Sequence, residues 1–134
     1  MNKVRGIAGV FMYANDPKRL AEWYALNFGL EFRSEIADTY YMEFYHRDDV
    51  DSSQRRSTVF AIMPAKKPLG TERGEYLINY RVNDLAGFLA HLQSQGVATR
   101  PVEEQNDGRF PESKGLFTWI TDLEGNHIEL YQPI

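Results

Sequence analysis

The chain has 134 residues, 43% of them hydrophobic, with a formal net charge of −4 and no cysteine. That length makes one domain with a core of its own. Without cysteine there are no disulfides, no thiol catalysis and no thiolate metal sites. A mildly acidic chain in which DSSQRRS brings only Arg55 and Arg56 together has no basic stripe, so nucleic acid is not expected as a partner. The opening MNKVRGIAGV lacks an apolar segment of signal-peptide length, and no later run approaches a membrane span; a cytoplasmic protein is expected.

In chain order, residues 4–13 (VRGIAGVFMY) predict a strand. Asn15-Asp16-Pro17 then supplies an N-cap and a proline at the first helical position. The helix that follows places Leu20, Trp23, Tyr24 and Phe28 on one face and stops at Gly29. Three strands are predicted next: LEFRSEI (30–36), TYYMEFYH (39–46) and, after the charged loop RDDVDSSQRR, STVFAIM (57–63). On the second of these Tyr41, Glu43 and Tyr45 share a face, while His46 ends it beside surface charges.

The second half repeats this order. EYLINYRV (75–82) predicts a strand, Asp84 caps a helix with Leu85, Phe88, Leu89 and Leu92 on one face, and Gly96 ends it, leaving His91 towards solvent. VATRPV (97–102), GLFTWIT (115–121) and NHIELY (126–131) are the closing strands. Asp16 and Asp84 stand 68 positions apart, and the same offset carries FAIM (60–63) onto IELY (128–131). A shared element order at one constant offset marks an internal repeat. The expected organisation is α+β, two β-α-β-β-β modules at 4–63 and 76–131, with PAKKPLGTERG in an exposed connector (64–75).

Near the end DLEGNHIELYQP (122–133) combines a turn with an alternating strand. Asp122 can hydrogen-bond the backbone after it, and Gly125 and Asn126 tolerate the left-handed conformation of a tight reversal. Alternation then puts Ile128 and Leu130 on one face and His127, Glu129 and Tyr131 on the other. In LINYRV, likewise, Ile78, Tyr80 and Val82 should lie under a helix, leaving Leu77, Asn79 and Arg81 on the opposite face. A carboxylate among apolar groups needs a partner, and Arg81 and Asn79 are the ones expected for Glu129.

These two modules, the VFMYANDPKRLAEWYALNFGL opening, NYRVNDL and the D-x-EGN-x-IELYQP ending resemble the vicinal oxygen chelate superfamily, which includes glyoxalase, bleomycin-resistance and extradiol dioxygenase proteins. The resemblance spans nearly the whole chain. It implies an open, curved, barrel-like cup, lined by the first and last strands of each module, and a homodimer. In metal-dependent members those four strands present histidine, glutamine or glutamate to one divalent ion. Counted from the two helix caps and the offset, the corresponding residues here are Gly9, Ala61, Leu77 and Glu129, of which only Glu129 can ligate.

The expected function is therefore binding of a small organic molecule without a metal or other cofactor. The lining expected for the cup is Phe11, Tyr13, Leu77, Asn79, Arg81, His127, Glu129 and Tyr131. One alternative is a metal-dependent lyase, isomerase or dioxygenase using Glu129 as ligand or catalytic group. Another is a non-catalytic dimeric regulator or subunit.

Overall fold

A computed structural model describes residues 4–106 and 114–134. The chain divides into two compact units, at Leu69 and Gly70, with the element order β-α-β-β-β in each. In the first, β1 (Gly9–Ala14) leads to α1 (Pro17–Phe28), then β2 (Arg33–Ile36), β3 (Thr39–Arg47) and β4 (Arg55–Pro64). The sheet order is β1-β4-β3-β2, β1 parallel to β4 and the rest antiparallel.

Helix α1 starts where the sequence places it. The Asp16 side chain accepts from Arg19 N at 3.1 Å, Pro17 gives up only an N–H that would have no helical partner, and Gly29 ends the helix at φ 70°. Leu20, Ala21 and Tyr24 are buried, and the Tyr24 ring meets Phe60 edge-on with centroids 5.6 Å apart. The helix thereby covers the sheet face carrying Met12, Phe60 and Ile62, all buried. Each such side chain contributes about 1.5–3 kcal/mol by leaving water. After β4, the Asn15 amide clamps the connector by donating to Leu69 O at 3.1 Å and accepting from Leu69 N at 2.8 Å.

The second unit runs β5 (Arg73–Arg81), α2 (Leu85–Ser94), β6 (Glu103–Gln105), β7 (Gly115–Thr121) and β8 (Asn126–Pro133), in sheet order β5-β8-β7-β6. Asp84 caps α2 by accepting from Gly87 N at 3.0 Å, and Leu85 N donates to Gln132 Oε1 at 2.7 Å, which ties the helix start to β8. Leu85, Leu89 and Leu92 are buried, as are Ile120, Ile128 and Leu130. Neither helix is long and apolar enough to cross a membrane.

The offset of 68 holds at the level of strand register. In the first sheet Gly9 faces Val59 and Phe11 faces Ala61; in the second, Leu77 faces His127 and Asn79 faces Glu129. Adding 68 to both members of either first-sheet pair gives the second-sheet pair. Position 61 in one module is thus position 129 in the other.

Several elements differ from their sequence reading. Strand β1 begins at Gly9, not at residue 4, and β5 begins at Arg73, ahead of the expected start. VATRPV forms no strand; the ladder to β7 starts only at Glu103. Pro101 has no N–H for a ladder, and the Thr118 hydroxyl instead donates to Arg100 O at 3.1 Å. In the Asp122 turn Gly125 alone is left-handed, at φ 85°, while Asn126 has no positive φ.

Gly125 is required twice over, because a Cβ there would lie 1.8 Å from Thr71 O. Gly29 shares the left-handed φ but has open space around it. Gly125→Ala is therefore expected to cost well over the roughly 1–2 kcal/mol of left-handed backbone alone, and Gly29→Ala about that amount. Urea denaturation of both variants measures the difference.

Candidate functional site

The face of the second sheet away from Ile128 and Leu130 is ordered by register into rows across β5, β8 and β7. Leu77, His127 and Thr121 make one row, Asn79, Glu129 and Trp119 the next, and Arg81, Tyr131 and Phe117 the third. Glu129 is at the centre. Its Oε1 accepts from Asn79 Nδ2 at 2.5 Å and its Oε2 from Trp119 Nε1 at 2.8 Å. Both donors are neutral, so they orient the carboxylate without cancelling its charge.

Tyr131 stacks on Phe117 with centroids 4.8 Å and planes 27° apart, and its hydroxyl donates to Lys114 O at 3.2 Å. On the other side His127 Nε2 lies 2.7 Å from Glu72 Oε1, with its ring against Gly74, where a Cβ would clash. Leu77 is 46% exposed. A small hollow of about 90 Å³ opens beside Trp119, between Leu77, Thr121, His127 and Arg100.

The turn before β8 sets these rows. Asp122 Oδ1 accepts from the backbone N–H of Glu124 (2.9 Å) and Asn126 (3.0 Å), and Oδ2 accepts from Asn126 Nδ2 at 2.8 Å. Arg73, at the start of β5, donates to Glu124 O and Oε1, each at 2.7 Å, with both side chains only 11% exposed. Turn and first strand are locked together; the ladder then shifts register between Arg73 and Leu77, and from Leu77 onwards it sets Asn79 opposite Glu129.

In the first unit the face opposite α1 carries Phe11, Tyr13, Ala61 and Tyr41, since β3 pairs Tyr41 with Ala61 and Glu43 with Val59. Phe11 and Tyr13 are 57% and 52% exposed. Arg33 lies 4.7 Å over the Tyr41 ring and forms an ion pair with Glu43. A hydrogen bond to Glu35, with burial second, pushes the Tyr41 phenol up. A larger hollow, about 410 Å³, lies between Arg5–Ala8 and the β3–β4 hairpin. Its charged walls are largely self-paired, Arg5 with Asp49 and Arg56 with Asp48.

All eight sequence-derived lining residues fall on the helix-free face of their own sheet, and six of them pair across β5 and β8: Leu77 with His127, Asn79 with Glu129, and Arg81 with Tyr131. Of the two partners expected for Glu129, Asn79 holds it and Arg81 does not. Arg81 is exposed and makes no ion pair with the carboxylate. Trp119 is the residue that sequence reasoning missed. Its signal was present: a five-residue turn from Asp122 to Asn126 between two known strands already sets Trp119 opposite Glu129.

The four positions at which the resemblance would place metal ligands do not fit a divalent ion. Gly9 and Ala61 in the first unit offer no donor atom, Leu77 offers none in the second, and both Glu129 oxygens already accept N–H bonds. Among the described residues no three histidine, aspartate or glutamate side chains converge.

No protein-family model and no curated protein matches this sequence. Solved structures do match over the full chain. A glyoxalase-related enzyme from Fulvimarina pelagi has a TM-score of 0.65 at 15% identity, covering 96% of this chain and 88% of its own. An antibiotic-binding protein from a Streptomyces species has 0.63 at 18%, with all of both chains covered. The fosfomycin resistance protein FosX from Listeria monocytogenes, solved with Mn(II) and sulfate, has 0.63 at 12%, covering 98% and 93%. The fold expected from the resemblance is the one observed.

Asn79→Asp tests the geometry around Glu129 directly. Two carboxylates would then face each other where an amide donates now, and stability at neutral pH should fall by about 1–3 kcal/mol. Protonating either carboxylate removes the repulsion, so the missing stability should return on acidification, measured by thermal unfolding from neutral to mildly acidic pH.

Proposed function

We propose that this chain, built on the fold of the glyoxalase, bleomycin-resistance and dioxygenase proteins, binds a small organic molecule on the helix-free face around Glu129 without using a metal. The observation that carries the reading is that Glu129, the one ligand-type position that still bears a donor, is oriented on both oxygens by Asn79 and Trp119 and, among the described residues, stands in no group of three ligating side chains. A carboxylate fixed by neutral N–H groups among an indole, a stacked Tyr131–Phe117 pair and an exposed leucine suits recognition of an organic ligand. Metal binding wants such a group free and accompanied by about two more. The antibiotic-binding Streptomyces protein gives a precedent on this fold for binding, and FosX with its Mn(II) for the opposite reading. A homodimer belongs to the same proposal on the sequence resemblance, and a cytoplasmic setting on the lack of any run long and apolar enough to span a membrane; light scattering tests the first.

Elemental analysis of the purified protein, followed by calorimetric titration with Mn(II) and Zn(II), separates the readings. The expected result is no stoichiometric metal and no saturable binding. One tightly held equivalent, lost in Glu129→Gln, overturns the proposal in favour of a metal-dependent lyase, isomerase or dioxygenase. Glu129→Gln is further expected to alter ligand-induced thermal stabilisation more than the stability of the unliganded protein, because glutamine keeps shape and one acceptor while losing the charge.

A further inference from the structure

The two sheets solve the same electrostatic problem in different ways. On the first, the Glu43 carboxylate and the Tyr41 ring share one cation, the guanidinium of Arg33, which pairs with the acid and lies 4.7 Å over the ring. On the second, Glu129 and the Trp119 ring are joined by a 2.8 Å hydrogen bond, but among the described residues no cation pairs with them. Arg81 in the next row and Arg100 beside the hollow make no ion pair with Glu129, and His127 is engaged by Glu72. An acid near an aromatic ring is thus paired with a guanidinium on the first sheet and held by neutral donors alone on the second, although the two acids occupy different positions of the repeat.

We propose that the ligand of this face is an organic cation: a protonated amine on a flat apolar body, its nitrogen on Glu129 and its body against Trp119 and Tyr131. The assignment rests on the binding function proposed above and adds the charge of the ligand. Glu129 is half-buried at the centre of the sheet, where an uncompensated charge is costly. Its two neutral donors use one acceptor position on each oxygen, and a carboxylate offers about four. An ammonium donates up to three N–H bonds and fills the remaining positions. Ring faces carry the negative end of the aromatic quadrupole, so Trp119 and Tyr131 favour the same charge that Glu129 does. An anionic ligand meets repulsion from both, and a neutral alcohol leaves the charge as it was.

Three probes of one size separate the possibilities: phenethylammonium, phenethyl alcohol and phenylacetate, titrated calorimetrically into the wild type, Glu129→Gln and Leu77→Lys. The wild type should bind the ammonium at least about tenfold more tightly than the alcohol, and phenylacetate most weakly. Glu129→Gln should remove the preference for the ammonium over the alcohol. Leu77→Lys, at an exposed position one row from Glu129 that tolerates a long side chain, should supply the missing cation internally and abolish the preference in a folded protein. Equal affinity for ammonium and alcohol in the wild type, or a preference that survives both substitutions, overturns the cation assignment and leaves the binding reading standing. No binding of any probe at millimolar concentration overturns both.

Discussion

The carboxylate of Asp122 holds the turn from which the site is counted. It accepts three hydrogen bonds within the reversal, while Gly125 takes up the left-handed φ and passes against Thr71 O where no side chain fits. Arg73 then joins that turn to the start of β5 through a nearly buried contact with Glu124. A buried ion pair of this kind contributes little net stability, yet removing one partner strands the other. Its value here is positional. The turn fixes the register of β8 against β7, which sets Glu129 opposite Trp119, and the register shift between Arg73 and Leu77 brings Asn79 opposite it on β5. A slip of one residue would turn Ile128 and Leu130 outward and bury the acid.

The sequence showed the two modules because local signals and long-range packing agree. Asp16 and Asp84 cap helices, Gly29 ends α1, and the apolar stripes of both helices face sheets whose alternation is readable residue by residue. The offset between the caps proves to be the offset between strand registers, so the equivalence of Ala61 and Glu129 could be deduced before any pairing was known. Less legible were the ends of elements. Strand β1 is shorter than its apolar pattern: among the described residues ahead of Gly9 only Ala8 O, from Val59 N, and Ile7 O, from the Thr58 hydroxyl, accept from β4, and VATRPV fails as a strand because Pro101 cannot donate. Which face of β3 looked away from the helix was also undetermined by alternation alone. Pairing with β4 decides it, setting Tyr41 beside Ala61 and opposite Phe60 in facing.

The site was legible as a set of side chains on one face and illegible as a set of contacts. Charge suggested Arg81 as the partner of Glu129, but the register places Arg81 opposite Tyr131 and gives Asn79 to the acid. Trp119 was overlooked because an indole in a strand reads as core, whereas its N–H is a donor that needs an acceptor when half-buried. The same fold in other proteins accommodates antibiotic binding and a Mn(II) complex, so architecture alone does not choose the chemistry. The choice lies in what surrounds one carboxylate.

The central proposal is that Glu129, held by protein N–H groups and, among the described residues, outside any group of three ligating side chains, serves an organic ligand and not a metal. The indole N–H resonances of Trp119 and Trp23 in a nitrogen-labelled sample report on this directly. The account predicts a Trp119 signal at low field, as a charge-assisted hydrogen bond requires, that neither shifts nor broadens when a stoichiometric amount of Mn(II) is added. Selective loss of the Trp119 signal, with Trp23 spared, that is abolished in Glu129→Gln would place the paramagnetic ion at Glu129 and contradict it.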